Sequence, residues 1–590
     1  MAPRKLKQVD AVMVGMGWTG SIMARELTKA GLHVVGLERG AYRAPAEDFA
    51  LPGIRDELKY RLRFQLMLDN GTETITMRHT PDEDALPMRR WGAFPLGDGV
   101  GGAGTHWNGV TWRNLPSEFV LRSHLEQRYG KSAIPADLTV QDWGVTYDEL
   151  EPYYERFEKL CGTSGKAGNL RGQIQDGGNP FEGPRQADYP NKPLIMSQAG
   201  LIFSEASKKL GLHPFPTPSS NNSAAYTNIE GQTLGACQYC GHCEYFGCES
   251  NSKASPNICI MPVLMQDSRF ELRAHAYVKS LVYDKRAKKV RGVVYVNRET
   301  GEELEQPADL VMLCAYPFNN VSLMLSAGIG QPYDPRTGKG VIGKNFCLQV
   351  MSGVQVFVED EINPFIGTGV NPAAIDDFQG DNFDHGGLGF FGGGYLYPAI
   401  SGGRPIQVRA TPPGTPRWGS QWKEATTQWY NHTFPIGTHG ASYAWRTNYL
   451  DLDPNYKDAI GRPLVRMTYN YSPNDRKMSQ FLTDKAVEIA RAANAKIIGT
   501  PNPRTGNFDN INGQSSHHTG GVIMGTDPHT SASNRYLQNW GVSNLFVMGG
   551  AAFPQNPGYN PTGTIAALAY WSANAITTRY LKNPGPLMQA

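Results

Sequence analysis

The sequence predicts an α/β fold of two domains, one built on a parallel β-sheet and the other on an antiparallel sheet with helices. Three observations support this prediction. Residues 8–40 read as strand, glycine-rich turn, helix and second strand, the order of a parallel β-α-β unit. Apolar and polar residues alternate at 354–358 and 464–469, and a helical pattern follows at 476–493. The 590 residues also exceed what one hydrophobic core usually holds.

The N-terminal unit begins with a short apolar run at 11–14, long enough for one buried strand. Gly15, Gly17 and Gly20 follow in the spacing G-x-G-x-x-G. In such a turn the first glycine permits the tight bend, the second lets the backbone approach a pyrophosphate, and the third lets the helix pack closely. Helix-forming residues occupy 21–30. The run therefore predicts a Rossmann-like nucleotide cradle.

A second strand at 33–37 ends at Glu38, which lies 18 positions after Gly20. A carboxylate that binds a ribose hydroxyl is expected about 20 residues after the glycines. The segment has the order of a dinucleotide site, with a strand, the glycines, a helix, a second strand and an acid. An ordinary strand–turn–helix without a bound nucleotide is the alternative. The pattern does not distinguish FAD from a nicotinamide dinucleotide.

The rest of the chain carries further periodic segments. In order, the patterns predict a short helix at 56–65, a helix at 149–160, strands at 277–283, 290–296 and 310–314, the strands and helix of the second domain, and a helix at 562–580.

Charge and hydropathy exclude several classes of function. The 56 basic and 54 acidic side chains nearly balance, which gives no reason to expect nucleic acid as a partner. No apolar run approaches the roughly 20 residues of a membrane span. The first ten residues, MAPRKLKQVD, lack the apolar core of an export signal. By itself the chain has the features of a cytoplasmic protein, although it could be exported together with a partner that carries a signal.

A glycine-rich segment at 97–108 contains polar residues between its glycines. Its candidate ligand-binding residues are Gly101, Gly102, Thr105, His106 and Asn108. Many glycines beside polar side chains indicate backbone packed directly against a flat ligand. A surface glycine loop is the alternative.

Together, the N-terminal motif and this loop resemble the glucose–methanol–choline (GMC) oxidoreductases, flavoenzymes that oxidise alcohols. The resemblance implies that the loop runs along the flavin of FAD. The string Thr105-His106-Trp107 is similar to that of pyranose 2-oxidases, which implies a covalent bond between His106 and FAD. A histidine that only packs on the flavin edge is the alternative. The resemblance also places the backbone of Val278 at the adenine, and it assigns Gly550 and Thr562 to the cofactor site.

Four of the eight cysteines, Cys237, Cys240, Cys243 and Cys248, fall within twelve positions. Thiols clustered in this way indicate a metal site, and an iron–sulfur cluster suits a redox protein. A structural zinc and a disulfide pair are the alternatives. Membrane-bound sugar dehydrogenases of the family are described with a three-iron cluster, which the first, third and fourth cysteines would hold. Four ligands, with Cys240 included, would instead suit a four-iron cluster.

The C-terminal part resembles the catalytic signature of the family. Counting back from Met524 places His517 on the catalytic position, with His518 beside it, and Asn560 takes the partner position before a proline. The resemblance implies that a hydride passes from carbon to flavin N5 while the histidine takes a proton from oxygen. Histidine suits this role because its unperturbed pKa is about 6.5. Two buried, hydrogen-bonded histidines are the alternative.

These landmarks divide the chain into discontinuous domains. We assign 8–115, 230–350 and 510–585 to the FAD-binding domain, and 116–229 and 351–509 to a cap or substrate domain.

Within the family the pattern is most similar to flavoprotein subunits of membrane-bound dehydrogenases of sugar acids and polyols. The resemblance implies oxidation of a secondary alcohol, as in gluconate to 2-ketogluconate, with electrons passing through the iron–sulfur cluster to a multihaem cytochrome c and then to quinone. It also implies a small subunit with an export signal, and therefore a place on the periplasmic side of the bacterial inner membrane.

Other functions remain open at this point. The substrate could be 2-ketogluconate or sorbitol, or the chain could be an oxidase of the pyranose 2-oxidase type. A subunit that only transfers electrons is a further alternative. A carboxylate substrate would favour an arginine in the pocket, with Arg409 and Arg446 as candidates.

Overall fold

A computed structural model describes residues 3–49, 66–71, 73–89, 96–400, 410–509 and 516–589. The helix predicted at 56–65 and the candidate Arg409 lie outside the described residues. The described strands are β1 (Arg4–Lys5), β2 (Val9–Val14), β3 (Val34–Leu37), β4 (Thr76–Arg78), β5 (Leu86–Pro87), β6 (Asn169–Leu170), β7 (Gln173–Ile174), β8 (Phe215–Pro216), β9 (Tyr226–Thr227), β10 (Thr233–Leu234), β11 (Phe270–Arg273), β12 (Ala276–Asp284), β13 (Lys289–Asn297), β14 (Glu303–Leu313), β15 (Val350–Phe357), β16 (Ala373–Ala374), β17 (Gly394–Pro398), β18 (Thr433–Gly440), β19 (Tyr449–Lys457), β20 (Pro463–Thr468), β21 (Ile497–Ile498) and β22 (Leu545–Val547).

The described helices alternate with these strands along the chain. They are α1 (Trp18–Lys29), α2 (Pro45–Asp48), α3 (Leu121–Tyr129), α4 (Tyr147–Cys161), α5 (Gln198–Lys209), α6 (Pro256–Cys259), α7 (Met261–Leu264), α8 (Tyr316–Ala327), α9 (Ser420–Trp429), α10 (Pro473–Ala492) and α11 (Thr562–Thr578). Among the residues that the structure describes, no helix is both long enough and apolar enough to cross a membrane.

The largest sheet contains the predicted parallel core. Its strand order is β11-β3-β2-β14-β13-β12, and β1 and β22 also pair with β14. Strands β11, β3, β2, β14 and β22 are parallel neighbours, whereas β12 and β13 add antiparallel pairs at one edge. The residues of β2 from Ala11 to Val14 are fully buried, as expected for a parallel strand covered on both faces. Helices α1 and α11 pack together beside this sheet.

A second sheet, of order β17-β18-β15-β21, is antiparallel throughout. The 20-residue helix α10 packs on β15 and β18. This arrangement confirms the predicted fold class, a Rossmann-like domain joined to a domain with an antiparallel sheet and helices. The third sheet, β19-β20-β4-β5, joins the second half of the chain to an early segment, because β20 and β4 are parallel neighbours.

Most predicted elements occur at or near their predicted positions, with boundaries that shift by a few residues. Helix α1 begins at Trp18 rather than at residue 21, because Gly17 already serves as its N-cap. The glycine motif therefore includes the first turn of the helix. Residues 8–115 carry β4, which contributes to the sheet of β19 and β20, so this early segment reaches both parts of the molecule.

Candidate active site

A cavity of about 340 Å³ lies at the carboxyl ends of β2, β3 and β14. Ligands of open α/β sheets bind in this position. The N-terminal ends of α1 and α11 reach the same cavity, because Gly17 and Trp18 line it on one side and Pro561 and Thr562 on the other. It is also lined by these residues that the sequence assigns to the site: Gly15, Gly17, Glu38, Gly101, Gly102, His106, Asn108, Val278, His517, His518, Gly550, Asn560 and Thr562.

Two of the predicted cofactor-binding residues, Gly20 and Thr105, do not line the cavity. Each contacts a glycine that does. A Cβ atom on Gly20 would lie 2.0 Å from the carbonyl oxygen of Gly15, so the glycine allows α1 to pack against the turn. The hydroxyl of Thr105 donates to the carbonyl of Gly102 at 2.9 Å. Gly20 therefore has the packing role expected of the third glycine.

The glycine turn at 15–20 and the glycine-rich segment 97–108 contact each other beside the cavity. The amide of Gly101 donates to the carbonyl of Met16 at 2.7 Å, and a Cβ on Gly102 would approach Cα of Gly17 at 3.3 Å. Gly101 has a φ of +96°, which favours glycine. The backbone of both segments is thus open to a ligand that lies between them.

Glu38 lies at the end of β3 and is almost fully buried. Its carboxylate accepts hydrogen bonds from the amides of Met16 and Gly40, both at 3.0 Å. Burial raises the pKa of Glu38, and these two hydrogen bonds oppose that shift. The carboxylate is therefore held at the cavity by the same turn that carries the glycines.

His106 lines the cavity and is buried, and its Nε2 has no hydrogen-bond partner among the described residues. Burial, together with the charge of Lys253, lowers the pKa of His106 to about 3. A buried polar atom without a partner is costly in a native protein. The ring is therefore neutral at pH 7, and its Nε2 lacks a partner that a bound group could supply.

The proton positions on His517 follow from its hydrogen bonds. Nε2 of Gln349 donates to the carbonyls of Gly558 and Tyr559, so Oε1 of Gln349 faces Nδ1 of His517 at 2.5 Å. An amide oxygen only accepts, and Nδ1 therefore carries the proton. Nε2 is left with its lone pair, 3.4 Å from Nδ2 of Asn560. Burial lowers the pKa of His517 to about 4, so the ring is a neutral base at pH 7.

Asn560 is held from the other side by a chain of hydrogen bonds. The hydroxyl of Tyr395 donates to Oδ1 of Asn560 at 2.7 Å, which turns the amide nitrogen toward His517. Because its proton is used there, the oxygen of Tyr395 accepts from Nδ1 of His439 at 2.8 Å. Nε2 of the neutral His439 then accepts from the hydroxyl of Tyr397, also at 2.8 Å. Burial keeps the pKa of His439 well below its usual value.

Nothing in the sequence marks Gln349, Tyr395, Tyr397 or His439 as part of the site. They lie on or beside strands of the second sheet, where an aromatic residue or a single histidine has the appearance of ordinary core. In the structure, the adjoining strand segments Tyr395–Tyr397 and Thr438–Gly440 are buried on both faces.

His518 lies in the cavity wall but is oriented differently from His517. Its Nδ1 bonds the hydroxyl of Tyr316 at 2.8 Å, and its ring packs against Phe318 and Phe346. The structure thus separates the two adjacent histidines, with His517 directed at Asn560 and His518 at α8.

The cysteine segment 237–248 lies against the glycine-rich segment 97–108. The amide of Tyr245 donates to the carbonyl of His106 at 2.7 Å, and Glu244 and Tyr245 line the cavity. No disulfide joins any two of the eight cysteines, all of which the structure describes, so the disulfide alternative has no support. Burial and the neighbouring thiols raise the pKa of Cys237 to about 11.

Backbone N–H groups donate to the sulfurs of Cys237, Cys243 and Cys248. Tyr239 donates to Sγ of Cys237 at 3.4 Å, Gly369 to Cys243 at 3.2 Å and Lys253 to Cys248 at 3.3 Å. Cys240 is exposed. Such N–H groups tune cluster sulfurs, so these donors are of the kind that an iron–sulfur centre uses. Within the described residues, however, no three His, Cys, Asp or Glu side chains converge as ligands of a metal ion.

Lys253 connects the cysteine segment to the histidine loop. Its ammonium group is buried and donates to the carbonyls of Trp107, Cys243 and Phe246. Burial lowers the pKa of Lys253, while the neighbouring thiols act in the opposite direction.

The cationic side chains that line the cavity, in the part of the chain that the structure describes, are Arg39 and Arg462. Arg462 donates to the carbonyl of Val278, and Arg39 adjoins Glu38. Both therefore lie at the end of the cavity that the sequence assigns to the nucleotide. Arg446 pairs with Asp137 and does not line the cavity.

Comparison with known proteins agrees with this architecture. Two family models described as GMC oxidoreductase match residues 143–351 and 445–569. The chain therefore belongs to the GMC oxidoreductase family, the FAD-dependent oxidoreductases that act on alcohols.

Several characterised proteins are similar over nearly the whole chain. The gluconate 2-dehydrogenase flavoprotein of Pantoea cypripedii is 49% identical, over 99% of this chain and 96% of its own. The fructose dehydrogenase large subunit of Gluconobacter japonicus is 26% identical, over 96% and 97%. Among solved structures, the pyridoxine 4-oxidase from Mesorbium loti superposes with a TM-score of 0.59 at 15% identity, covering 96% of this chain and 98% of that one, which supports the fold alone.

Proposed function

We propose that this chain is the flavoprotein subunit of a dehydrogenase that oxidises a secondary alcohol of a sugar acid or polyol, of the gluconate to 2-ketogluconate type. The observation that carries the proposal is the pair formed by His517 and Asn560, which meet at 3.4 Å in a cavity that the glycine cradle also lines. The similarity to a gluconate 2-dehydrogenase flavoprotein supports the substrate class.

FAD would lie between Gly15, Gly17, Gly101 and Gly102, with its ribose at Glu38. When bound, FAD supplies a two-electron acceptor for the C–H bond of the alcohol. A charge that develops on the flavin would be favoured by the N-terminal end of α11, which presents about half a positive charge.

The chain itself handles the proton of the alcohol. Nε2 of His517 has the lone pair that accepts it, because Gln349 keeps the other ring nitrogen protonated. Asn560 donates from Nδ2 to the substrate oxygen and holds it beside the base. His439 and Tyr395 keep that amide from turning.

The test of this assignment is the variant His517→Ala. Because general-base help is worth about 10²- to 10⁴-fold in rate, we expect turnover to fall by that order while FAD stays bound. His529→Ala, on an exposed histidine outside the cavity, is the matched control. Near-normal turnover in the first variant would remove His517 from this role.

The substrate is tested by anaerobic reduction of the bound flavin with gluconate, 2-ketogluconate, sorbitol and glucose in turn. We expect bleaching by a sugar acid or polyol. Steady peroxide formation with oxygen as the acceptor would indicate an oxidase instead.

We also propose that FAD is attached covalently to His106. The support is that His106 lines the cavity and that its buried Nε2 has no hydrogen-bond partner among the described residues. The yellow colour should stay with the polypeptide after denaturation, and His106→Ala should release it. Colour that leaves the wild-type protein with small molecules would contradict the attachment.

Cys237, Cys243 and Cys248 would hold a three-iron cluster, the support being the N–H groups that face these three sulfurs. The cluster would supply one-electron transfer toward a multihaem cytochrome c subunit and quinone. A small subunit with an export signal would bring the complex to the periplasmic side of the inner membrane. Cys243→Ser should abolish the cluster signal in electron paramagnetic resonance, whereas Cys240→Ser should keep it. Iron-free wild-type protein would contradict the cluster.

A further inference from the structure

Lys253 is a buried charged residue that the proposed mechanism leaves unused, with 1% of its surface exposed. Its Nζ donates to the carbonyls of Trp107 and Cys243 at 2.5 Å and to that of Phe246 at 2.7 Å. A neutral amine has two N–H groups, whereas an ammonium group has three. The three acceptors therefore indicate a protonated, positively charged side chain at the place where segments 97–108 and 237–248 meet.

This charge lies just behind the cavity wall. Trp107 lines the cavity, and its carbonyl accepts from Lys253 while its ring Nε1 donates to the carbonyl of Ala254 at 2.8 Å. Residues 253 and 254 thus hold both the backbone and the ring of Trp107. The same charge acts on the neighbouring residue, since it adds to the effect of burial that lowers the pKa of His106.

The partners of the ammonium group do not neutralise it. All three are carbonyl dipoles, and a buried cation without a full negative charge beside it is costly. Of the groups whose charges act on Lys253, the thiols of Cys243, Cys248 and Cys240 come before Glu244. Burial raises the pKa of the Cys243 thiol, so this thiol carries no charge at pH 7 unless it binds a metal. A negative charge that forms near the histidine loop would therefore be stabilised by Lys253.

We propose that Lys253 raises the reduction potential of the flavin held along segment 97–108. A hydride brings one negative charge to the flavin ring, and a fixed cation nearby stabilises that charge without reorganisation. Lys253 does not line the cavity and touches neither reactant, so it is a positioning residue that acts through Trp107 and His106. The inference rests on the proposed place of FAD and makes it more specific.

The test is a redox titration of the flavin in the purified holoenzyme, with dithionite as the reductant and a dye of known potential as the reference. Lys253→Met removes the charge at similar side-chain length. A unit charge roughly 10 Å away, at an effective dielectric constant of about 20, changes an equilibrium by about tenfold or more. We expect the midpoint potential of the variant to fall by about 30 mV, which is a tenfold change for a two-electron couple.

Three further variants separate the charge from the packing. Lys253→Arg keeps the charge and should keep the potential near the wild-type value. Lys253→Gln keeps N–H donors without the charge and should lower the potential as Lys253→Met does, and it replaces that variant if the methionine protein does not fold. Lys344→Met removes another buried lysine, which donates to the carbonyl of Thr530 and does not line the cavity. This control should leave the potential unchanged.

An unchanged flavin potential in both Lys253→Met and Lys253→Gln would overturn the inference. An equal fall in Lys344→Met would also overturn it, because the shift would then not depend on where the charge lies. Loss of iron from Lys253→Met at an unchanged flavin potential would assign the charge to the cysteine segment instead. The titration needs no alcohol substrate, so a wild-type enzyme that oxidises none of the alcohols would refute the proposed function and leave this result standing.

Discussion

The amide of Asn560 can hold a substrate oxygen only if its nitrogen faces the cavity, and the hydroxyl of Tyr395 fixes that orientation. We expect Tyr395→Phe to lower kcat/KM about tenfold, since one net hydrogen bond is worth about 1 kcal/mol and the amide becomes free to turn. Steady-state kinetics of the single variants and of the double variant with Asn560→Ala provide the measurement. If Tyr395 acts through Asn560, the double variant is no slower than Asn560→Ala alone. Fully additive losses would contradict this coupling.

In the proposed mechanism, the protonation of His517 determines the pH dependence of the reaction. Burial lowers its pKa to about 4, whereas an unperturbed histidine titrates near 6.5. The neutral base therefore predominates above about pH 5, and protonation removes it as the pH falls through about 4. We expect the rate of flavin reduction, measured anaerobically by stopped flow, to be flat from pH 5 to pH 8 and to fall below that range. A midpoint near 6.5 would show that the ring is solvated in the working enzyme.

Spacing in the sequence predicts His517 and Asn560 as a pair, and the structure brings their side chains to 3.4 Å. The groups that orient them could not be selected in this way. Gln349 is an ordinary polar residue beside a strand, and its role depends on carbonyls about 210 positions later. His439 is a single histidine on a buried strand, a position in which a satisfied core histidine is equally common.

At the level of elements, the glycine turn sets how closely α1 approaches the sheet. A Cβ on Gly20 would lie 2.0 Å from the carbonyl oxygen of Gly15, a backbone atom that cannot move without distorting the turn. We expect Gly20→Ala to destabilise the protein by about 3 kcal/mol and to lower its FAD content. The control is Gly506→Ala, because nothing lies within 4 Å of the added atom there. Thermal unfolding and flavin absorbance measure both effects, and equal behaviour of the two variants would contradict the role of the close packing.

Long elements with a clear period were predictable, as α4, α10 and α11 show. Helices α4 and α10 also begin with capping boxes, at Thr146 with Glu149 and at Ser472 with Asp475, which fix their first turns. The pairing of β4 with β20 was not predictable. Strand β4 has three residues and joins a partner almost 400 positions away, so no local pattern indicates it.

The stability of the whole molecule depends on two opposing sets of buried groups. Burial lowers the pKa of His439, His517 and His518, so the unfolded chain binds more protons at these sites and their contribution to stability declines as pH falls below about 6.5. Burial also raises the pKa of Glu118 to about 8 and that of Asp376 to about 7. These acids are protonated in the native state, and the stability that they contribute is lost as pH rises through those values. The two effects oppose each other between about pH 4.5 and 6.5, and only the acids act above that range.

Part of the alkaline decline can be assigned to Glu118. Glu118 is buried, accepts from the hydroxyl of Tyr443, and keeps its proton up to about pH 8 because of burial and the charge of Asp381. Glu118→Gln replaces the neutral acid by a neutral amide whose oxygen can still accept from Tyr443. We expect the wild-type protein to lose roughly 2 kcal/mol at this site between pH 6 and pH 8, and the variant to lose none of it. Calorimetric unfolding of both proteins at pH 6 and pH 8 measures the difference. Unfolding temperatures that decline in parallel would mean that Glu118 is already ionised in the native state, and the decline would then belong to the remaining buried acids.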